Sequence, residues 1–307
     1  MKKKGSLFLL LLCIIFSSQP ASGTETDAPV IACIIPSYSD IVFWSDIENS
    51  MYQKAKELNV ELLMLYTKHT NPSLAMDLNE ALSIAIYSDV DAIITSYTLA
   101  NPETDDMLAA ALEKEIPVIM IDCDCPAQLR SAYIGIDNEA AGFKIGQLAL
   151  DAMEGEHNAL LVYSTESPNR ENLLQRIEGI QHAFEHNDHR LQEYIISNYS
   201  VQTVREIRQL LTEDPSIEAV IAISENSTLL CSQAISGSKR TDTVHLYGFD
   251  ESEDTLTLLE EGSIDALACQ IHSEMGDLSV EIANQLVSGD ENAAGIHLID
   301  FVVRQPK

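Results

Sequence analysis

From residue 30 onward the chain alternates short apolar runs with amphipathic windows of helical period, and this alternation predicts most of the secondary structure. The runs 30–35, 60–66, 92–95 and 118–121 are expected strands, and the windows 43–59, 73–87 and 102–114 between them are expected helices. A further strand is expected at 132–136. The alternation then resumes with helix to 153, strand 159–163, helix 172–186, strand 193–196, helix 201–212, strand 219–223, helix 226–236 and strand 244–249. Apolar runs separated by helices are strands buried on both faces of parallel sheets, linked by right-handed crossovers.

The order is β-α-β-α counted twice, so the expected fold is α/β, with two doubly wound parallel-sheet lobes. Between 121 and 132 no helix fits, and the chain is expected to leave one sheet there and enter the other. Asp137 and Asn138 are expected to cap the helix that begins at Glu139. After a helix to 261, Gly262 breaks the pattern and 264–270 reads as a strand, followed by helix 275–287 and a last strand 297–303. Should 264–270 return the chain to the first sheet and the tail return it to the second, three connections form a hinge. The lobes are then 28–136 plus 271–298, and 137–270 plus 299–307. Two lobes on a hinge enclose a cleft that closes on a ligand.

The two halves also match each other at strand ends. In the first, three runs end at Ser37, Ser96 and Asp122; in the second, three end at Ser164, Ser224 and Asp250. Ligands of open α/β sheets bind beyond the carboxyl ends of the strands. Turn chemistry alone also favours Ser and Asp at such positions, so each residue has a purely structural reading beside the functional one.

Composition narrows the function. Residues 1–23 combine Lys2, Lys3 and Lys4, a ten-residue apolar run and a small-residue end at Ala21-Ser22-Gly23, the layout of a cleaved secretory signal rather than a membrane span. Leu12 before Cys13 is too bulky for lipidation. The formal charge is −30, and removal of the three leader lysines makes it −33. Such a surface excludes nucleic acid and anionic membranes as partners. The odd set Cys33, Cys123, Cys125, Cys231 and Cys269 is no disulfide framework.

Several segments together resemble the type I periplasmic binding proteins of the ribose and galactose kind. They are Pro36 to Trp44, VIMID ending at Asp122, YIGIDNEAAG from Tyr133 to Gly142, QRIEGI from Gln175, YGFDES from Tyr247, and the segment ending at Gln270. The likeness spans about residues 29–305 and is shared with bacterial repressor cores. It implies that Asp122 and Asp250 bind ligand hydroxyls, and that Gln270 is a hinge-side amide. It also implies that Ser37 and Asp40 lie in the first loop and that Phe43 and Trp44 are ring-stacking aromatics. Physically, paired acceptors suit vicinal hydroxyls while rings cover C–H faces; the other reading packs Phe43 and Trp44 in the first turn of a core helix.

The departures are specific. Cys123 stands where ribose-type members carry Arg, and Leu174 aligns with a ligand-facing Arg for which Arg170 is the nearby substitute. Near Ser224 an expected Asn is missing, with Asn226 two residues on. The pocket is therefore expected to lack its usual cations. This weakens ribose and leaves a different sugar, a polyol, a furanone-like signal, a small amine or a nucleoside.

Other constellations carry less. The run Asp122 to Cys125 lacks zinc spacing, and His182, His186 and His189 read as an exposed helix end rather than a metal face. Two glycosylation sequons, at Asn198 and Asn226, are read as chance. No nucleophile–base motif, P-loop or dinucleotide fingerprint appears. The expectation is a non-enzymatic, cofactor-free and metal-free monomer, exported to the periplasm or outer membrane face. It captures a small polar ligand through Ser37, Asp40, Phe43, Trp44, Asp122, Asn138, Arg170, Ser224, Asp250 and Gln270. Its partner is an ABC permease, or alternatively a membrane sensor kinase. Residues 24–29 leave no room for a DNA-binding headpiece.

Overall fold

The computed structural model describes residues 28–36, 42–67, 76–98, 100–153, 157–164 and 171–306, with residue 42 described by its backbone alone. The leader 1–23, Ser37, Asp40 and Arg170 lie outside them.

The first half builds β1 (Val30–Pro36), α1 (Val42–Leu58), β2 (Glu61–Thr67), α2 (Leu78–Tyr87), β3 (Ala92–Thr95), α3 (Pro102–Glu113), β4 (Val118–Ile121) and β5 (Ala132–Ile136). The second half begins with α4 (Asn138–Ala152), β6 (Asn158–Ser164), α5 (Glu171–Phe184), β7 (Arg190–Ile196), α6 (Val201–Glu213) and β8 (Ile217–Ala222). It continues with α7 (Glu225–Ser238), β9 (His245–Phe249), α8 (Glu253–Glu260) and β10 (Ala266–Gln270). The chain closes with α9 (His272–Val287), β11 (Gly295–Ile299) and β12 (Phe301–Arg304).

The strands form two six-stranded sheets, ordered β11-β5-β4-β3-β1-β2 and β12-β10-β9-β8-β6-β7. All pairings are parallel except β10 with β12. Helices α1 and α9 pack together over one face of the first sheet, and α2 and α3 lie against the other. On the second sheet α4 and α5 form one layer and α6 and α7 the opposite one. The strand interiors are buried throughout, as in Ile31 to Ile35, Val118 to Ile121 and Ala219 to Ile223. Continuous burial is why those strands read as unbroken apolar runs.

Three expectations are corrected. The chain does not change sheets between 121 and 132: β5 pairs in parallel with β4, joined by a loop that holds one short 3-10 turn, Ala127–Leu129. A compact loop of this length can make a parallel crossover without an α-helix, and the crossing between lobes comes after Ile136. Nor does 264–270 return to the first sheet, because β10 lies beside β9 in the second and the return follows Gln270. Finally, the last apolar run is two strands. β11 pairs with β5, Asp300 intervenes, and β12 pairs antiparallel with β10. A run of alternating burial contains no mark of where its pairing partner changes.

Three segments thus cross between the sheets, at 136–138, 270–272 and 299–301. Among the described residues no helix is long and apolar enough to cross a membrane.

Candidate functional site

The cleft is organised by two aspartates in equivalent places. Asp122 follows β4 and Asp250 follows β9, and both are held in left-handed backbone, with φ of 63° and 66°. Among the described residues, the other non-glycine residues with positive φ are Asn59, Asp89, Glu115 and Lys239, all just beyond helices. Each aspartate's backbone N–H donates to the neighbouring strand, Asp122 to the Ile134 carbonyl at 3.1 Å and Asp250 to the Ala268 carbonyl at 2.9 Å. Left-handed backbone costs a non-glycine residue about 1–2 kcal/mol. Asp tolerates it better than most, and such conformations gather at functional sites.

One helix connects the two aspartates. On α5 of the second lobe, Asn172 and Arg176 stand one turn apart, on one face. Asn172 Nδ2 donates to Asp122 Oδ1 at 3.1 Å, a contact that spans the cleft. Arg176 is 2% exposed. Its Nε donates to Asn138 Oδ1 at 2.9 Å, and its Nη1 to the Ile223 carbonyl at 2.9 Å and to Asp250 Oδ2 at 3.2 Å. The guanidinium lies 4.5 Å from the centre of the Phe249 ring. Gln270 Nε2 donates to the other Asp250 oxygen at 3.1 Å, and Asn138 Nδ2 reaches back to the Ile136 carbonyl at 3.3 Å. Asn138, Asn172 and Gln270 are all buried. Two hydrogen-bonded groups result, Asn172 with Asp122 between the lobes, and Arg176 with Asn138, Asp250 and Gln270 of the hinge strand β10; α5 carries a member of each.

Glycine makes the platform possible. A Cβ on Gly142 would stand 2.2 Å from the Arg176 carbonyl oxygen, and one on Gly179 would stand 2.0 Å from the Glu139 carbonyl oxygen. Only hydrogen fits in either place, so α4 and α5 approach closely enough for Asn138 to meet Arg176.

A cation is nonetheless present beside Asp250, though buried rather than open to the cleft. It comes from Arg176, in a helix position that neither the Cys123 nor the Leu174 alignment points to. The available signal was the pair Asn172 and Arg176 at i, i+4 on the same face as Gly179 and Ile180. Polar residues on a buried face are rarely there without partners.

The other sequence candidates are distributed as follows. Phe43 is half-buried, its ring edge-to-face with Trp44 at 5.0 Å and with His272 at 4.8 Å. Trp44 is 7% exposed and belongs to the core of the α1 layer. Ser224 caps α7, with its side chain in a reciprocal capping box with Ser227, so its hydroxyl serves the helix. Ser96, after β3, is 2% exposed, and its hydroxyl has no partner among the described residues, as is also true of Thr95. Burial holds the Glu225 carboxyl above its usual range; Asp250 and Asp254 push it the same way, while Ser252 and His272 oppose them. Burial likewise pushes the Cys125 thiol up to about 12. Among the described residues no group of carboxylates, imidazoles and thiols is arranged to hold a metal.

This architecture is shared with known proteins. A family model described as a periplasmic binding protein domain matches residues 31–291. The ribose import binding protein of Salmonella typhimurium is 24% identical over 297 residues, covering 95% of this chain and 94% of its own. The crystal structure of GanP, a glucose-galactose binding protein from Geobacillus stearothermophilus, superposes with a TM-score of 0.79 at 24% identity, covering 90% of this chain and 97% of that one. A XylFII-LytSN complex superposes with a TM-score of 0.74 at 25% identity, covering 91% and 98%. With its two parallel-sheet lobes, matched aspartates and bridging helix, the chain belongs to the periplasmic binding protein family of the type I fold, whose members bind solutes and are not enzymes.

Proposed function

We propose that this chain is an exported solute-binding protein that captures a small polar, sugar-like ligand between its lobes and delivers it to an ABC permease. The lobes are 28–136 plus 271–298 and 137–270 plus 299–307, and the protein acts as a monomer in the periplasm or at the outer membrane face. The observation that carries the reading is that one helix, α5, bonds both matched aspartates, Asp122 of the first lobe through Asn172 and Asp250 of the second through Arg176, with Gln270 on the other Asp250 oxygen. A ligand in that position touches both lobes at once, and differential contacts of this kind draw a two-lobed protein shut. Asp122 and Asp250 accept from ligand hydroxyls, Asn138 and Gln270 orient the Asp250 carboxylate and its surroundings, and Phe43 offers the ring face with Trp44 packed behind it. Ser37, Asp40 and Arg170, which lie outside the described residues, complete the proposed set. Ser224 contributes through the helix it caps. The ribose import function named for the Salmonella relative supports a sugar as ligand.

A second reading has its own support. The likeness to XylFII in its complex with LytSN favours a sensor that hands its closed form to a membrane receptor such as a histidine kinase.

Calorimetry across pentoses, hexoses, polyols and nucleosides tests the first reading. One class is expected to bind at one per chain, with affinity lost at least about ten-fold, or 1.4 kcal/mol, in Asp250→Ala and in Asp122→Ala. A ligand held as tightly by both variants as by the parent would place the site elsewhere. Stimulation of a permease ATPase by the loaded protein separates transport from kinase signalling.

A further inference from the structure

Asp122 is the middle residue of a three-residue turn. The Cys123 N–H donates to the Ile121 carbonyl at 2.7 Å, across a residue whose φ is 63°. A bond from i+2 back to i around a residue of positive φ is the rare, strained form of the γ-turn. Such backbone persists only where its surroundings over-determine it, and here two bonds to β5 do so. One is the Asp122 N–H to the Ile134 carbonyl. The other comes from a side chain: Tyr133 Oη donates to the Asp122 carbonyl oxygen at 3.0 Å.

The Tyr133 ring is itself fixed in place. It is buried, and it reaches along β5 toward residue 135, the next position on the same face of the strand. A Cβ on Gly135 would stand 2.1 Å from Tyr133 Oη and 2.5 Å from Cζ, so the hydroxyl fills the space that a side chain at 135 would need. The Arg130 guanidinium lies 5.8 Å from the centre of the ring. Asp124 holds that guanidinium in turn, accepting from both Nε and Nη2, the latter at 2.8 Å. Burial, then the charges of Asp122 and Asp124, raise the phenol above its usual range, so the hydroxyl keeps its proton and goes on donating. The matched aspartate is held locally instead, its carbonyl accepting from Thr255 Oγ1 at 3.3 Å, five positions on. Tyr133 is eleven positions from Asp122 and in the neighbouring strand, so the first aspartate depends on a contact within the sheet.

We propose that Tyr133 is a positioning residue of the cleft: its hydroxyl locks the turn at Asp122 and so aims that carboxylate at the ligand and at Asn172. The inference rests on the reading of Asp122 as a ligand acceptor.

The test uses the full chain and Tyr133→Phe, which keeps the ring and removes only the hydroxyl. Without ligand, amide exchange at Asp122 and Cys123 is expected to quicken at least about five-fold, with Asp250 unchanged. In calorimetry with D-ribose, D-galactose, xylitol and adenosine, the probe that the parent binds is expected to lose at least about three-fold in affinity. The same substitution placed in Asp122→Ala is expected to change affinity by less than about two-fold, while in Asp250→Ala the loss persists. Faster exchange with unchanged affinity makes the hydroxyl a contact of the fold alone and overturns the proposal. So does unchanged exchange, or an equal loss in the Asp122→Ala background. Where none of the four probes binds, or Asp122→Ala binds as tightly as the parent, the reading of the cleft fails and the inference falls with it.

Discussion

Replacing Arg176 by Met tests the centre of the network most directly. Met keeps the length of the side-chain stem and much of its packing against Phe249, but removes the guanidinium. Three acceptors then lose their donor: Asn138 Oδ1, the Ile223 carbonyl and Asp250 Oδ2. Stranding one member of a buried ion pair costs about 3–5 kcal/mol. The Asp250 side chain is 19% exposed and keeps its bond from Gln270, so water relieves part of the penalty and the lower end, about 3 kcal/mol, applies. With a urea slope of about 1.5–2 kcal/mol/M, the midpoint of second-lobe unfolding should fall by about 1.5–2 M. Lys cannot replace the arginine, since a single ammonium cannot reach three partners arranged around a planar fork. The control is a cycle with Asp250→Asn, which tolerates the left-handed backbone. The double variant should be less destabilised than the sum of the singles by at least about 1.5 kcal/mol. A loss below about 1 kcal/mol for Arg176→Met, or strict additivity in the cycle, refutes the argument that this pair holds the site together.

Three other outcomes follow from the geometry. Asn172→Ala removes a direct bond between lobes, worth about 1 kcal/mol, and should shift the open-to-closed ratio about five-fold, read as an increase in radius of gyration by small-angle scattering; an unchanged radius counts against a cross-lobe role. Asp122→Gly and Asp122→Ala remove the same carboxylate, but glycine accepts φ of 63° without strain, so the Ala variant should be the less stable by about 1 kcal/mol in chemical denaturation. Glu225 has a folded-state pKa raised above its ordinary value, mainly by burial. A raised carboxyl favours the fold below its unfolded pKa, and that contribution fades as pH rises through the folded one. Glu225→Gln should therefore raise the melting temperature at pH 7 by about 1–2 °C and give no gain near pH 4; equal gains at both would show that the carboxylate is not strained.

The features of this site differ in how far the sequence reveals them. Asp122 and Asp250 are visible because each ends an apolar run abruptly, and a charge after a fully buried strand has to face a sheet edge. Their left-handed backbone is not visible, since it arises from the N–H of each reaching the adjacent strand. Arg176 was missed because its partners, Asn138, Ile223 and Asp250, lie 38, 47 and 74 positions away in the chain. His272 meets Asp46 across 226 positions, a pairing that no local pattern encodes.

The sequence by itself determined the two rounds of strand and helix and the strand ends where a site could form, because periodicity and side-chain polarity are local properties. Only the tertiary structure decided that β5 stays beside β4, that the last apolar run divides at Asp300 between two sheets, and that α5 links the two aspartates. Those outcomes depend on which distant backbone and side-chain groups meet, and hydrogen bonding between distant groups is settled by packing.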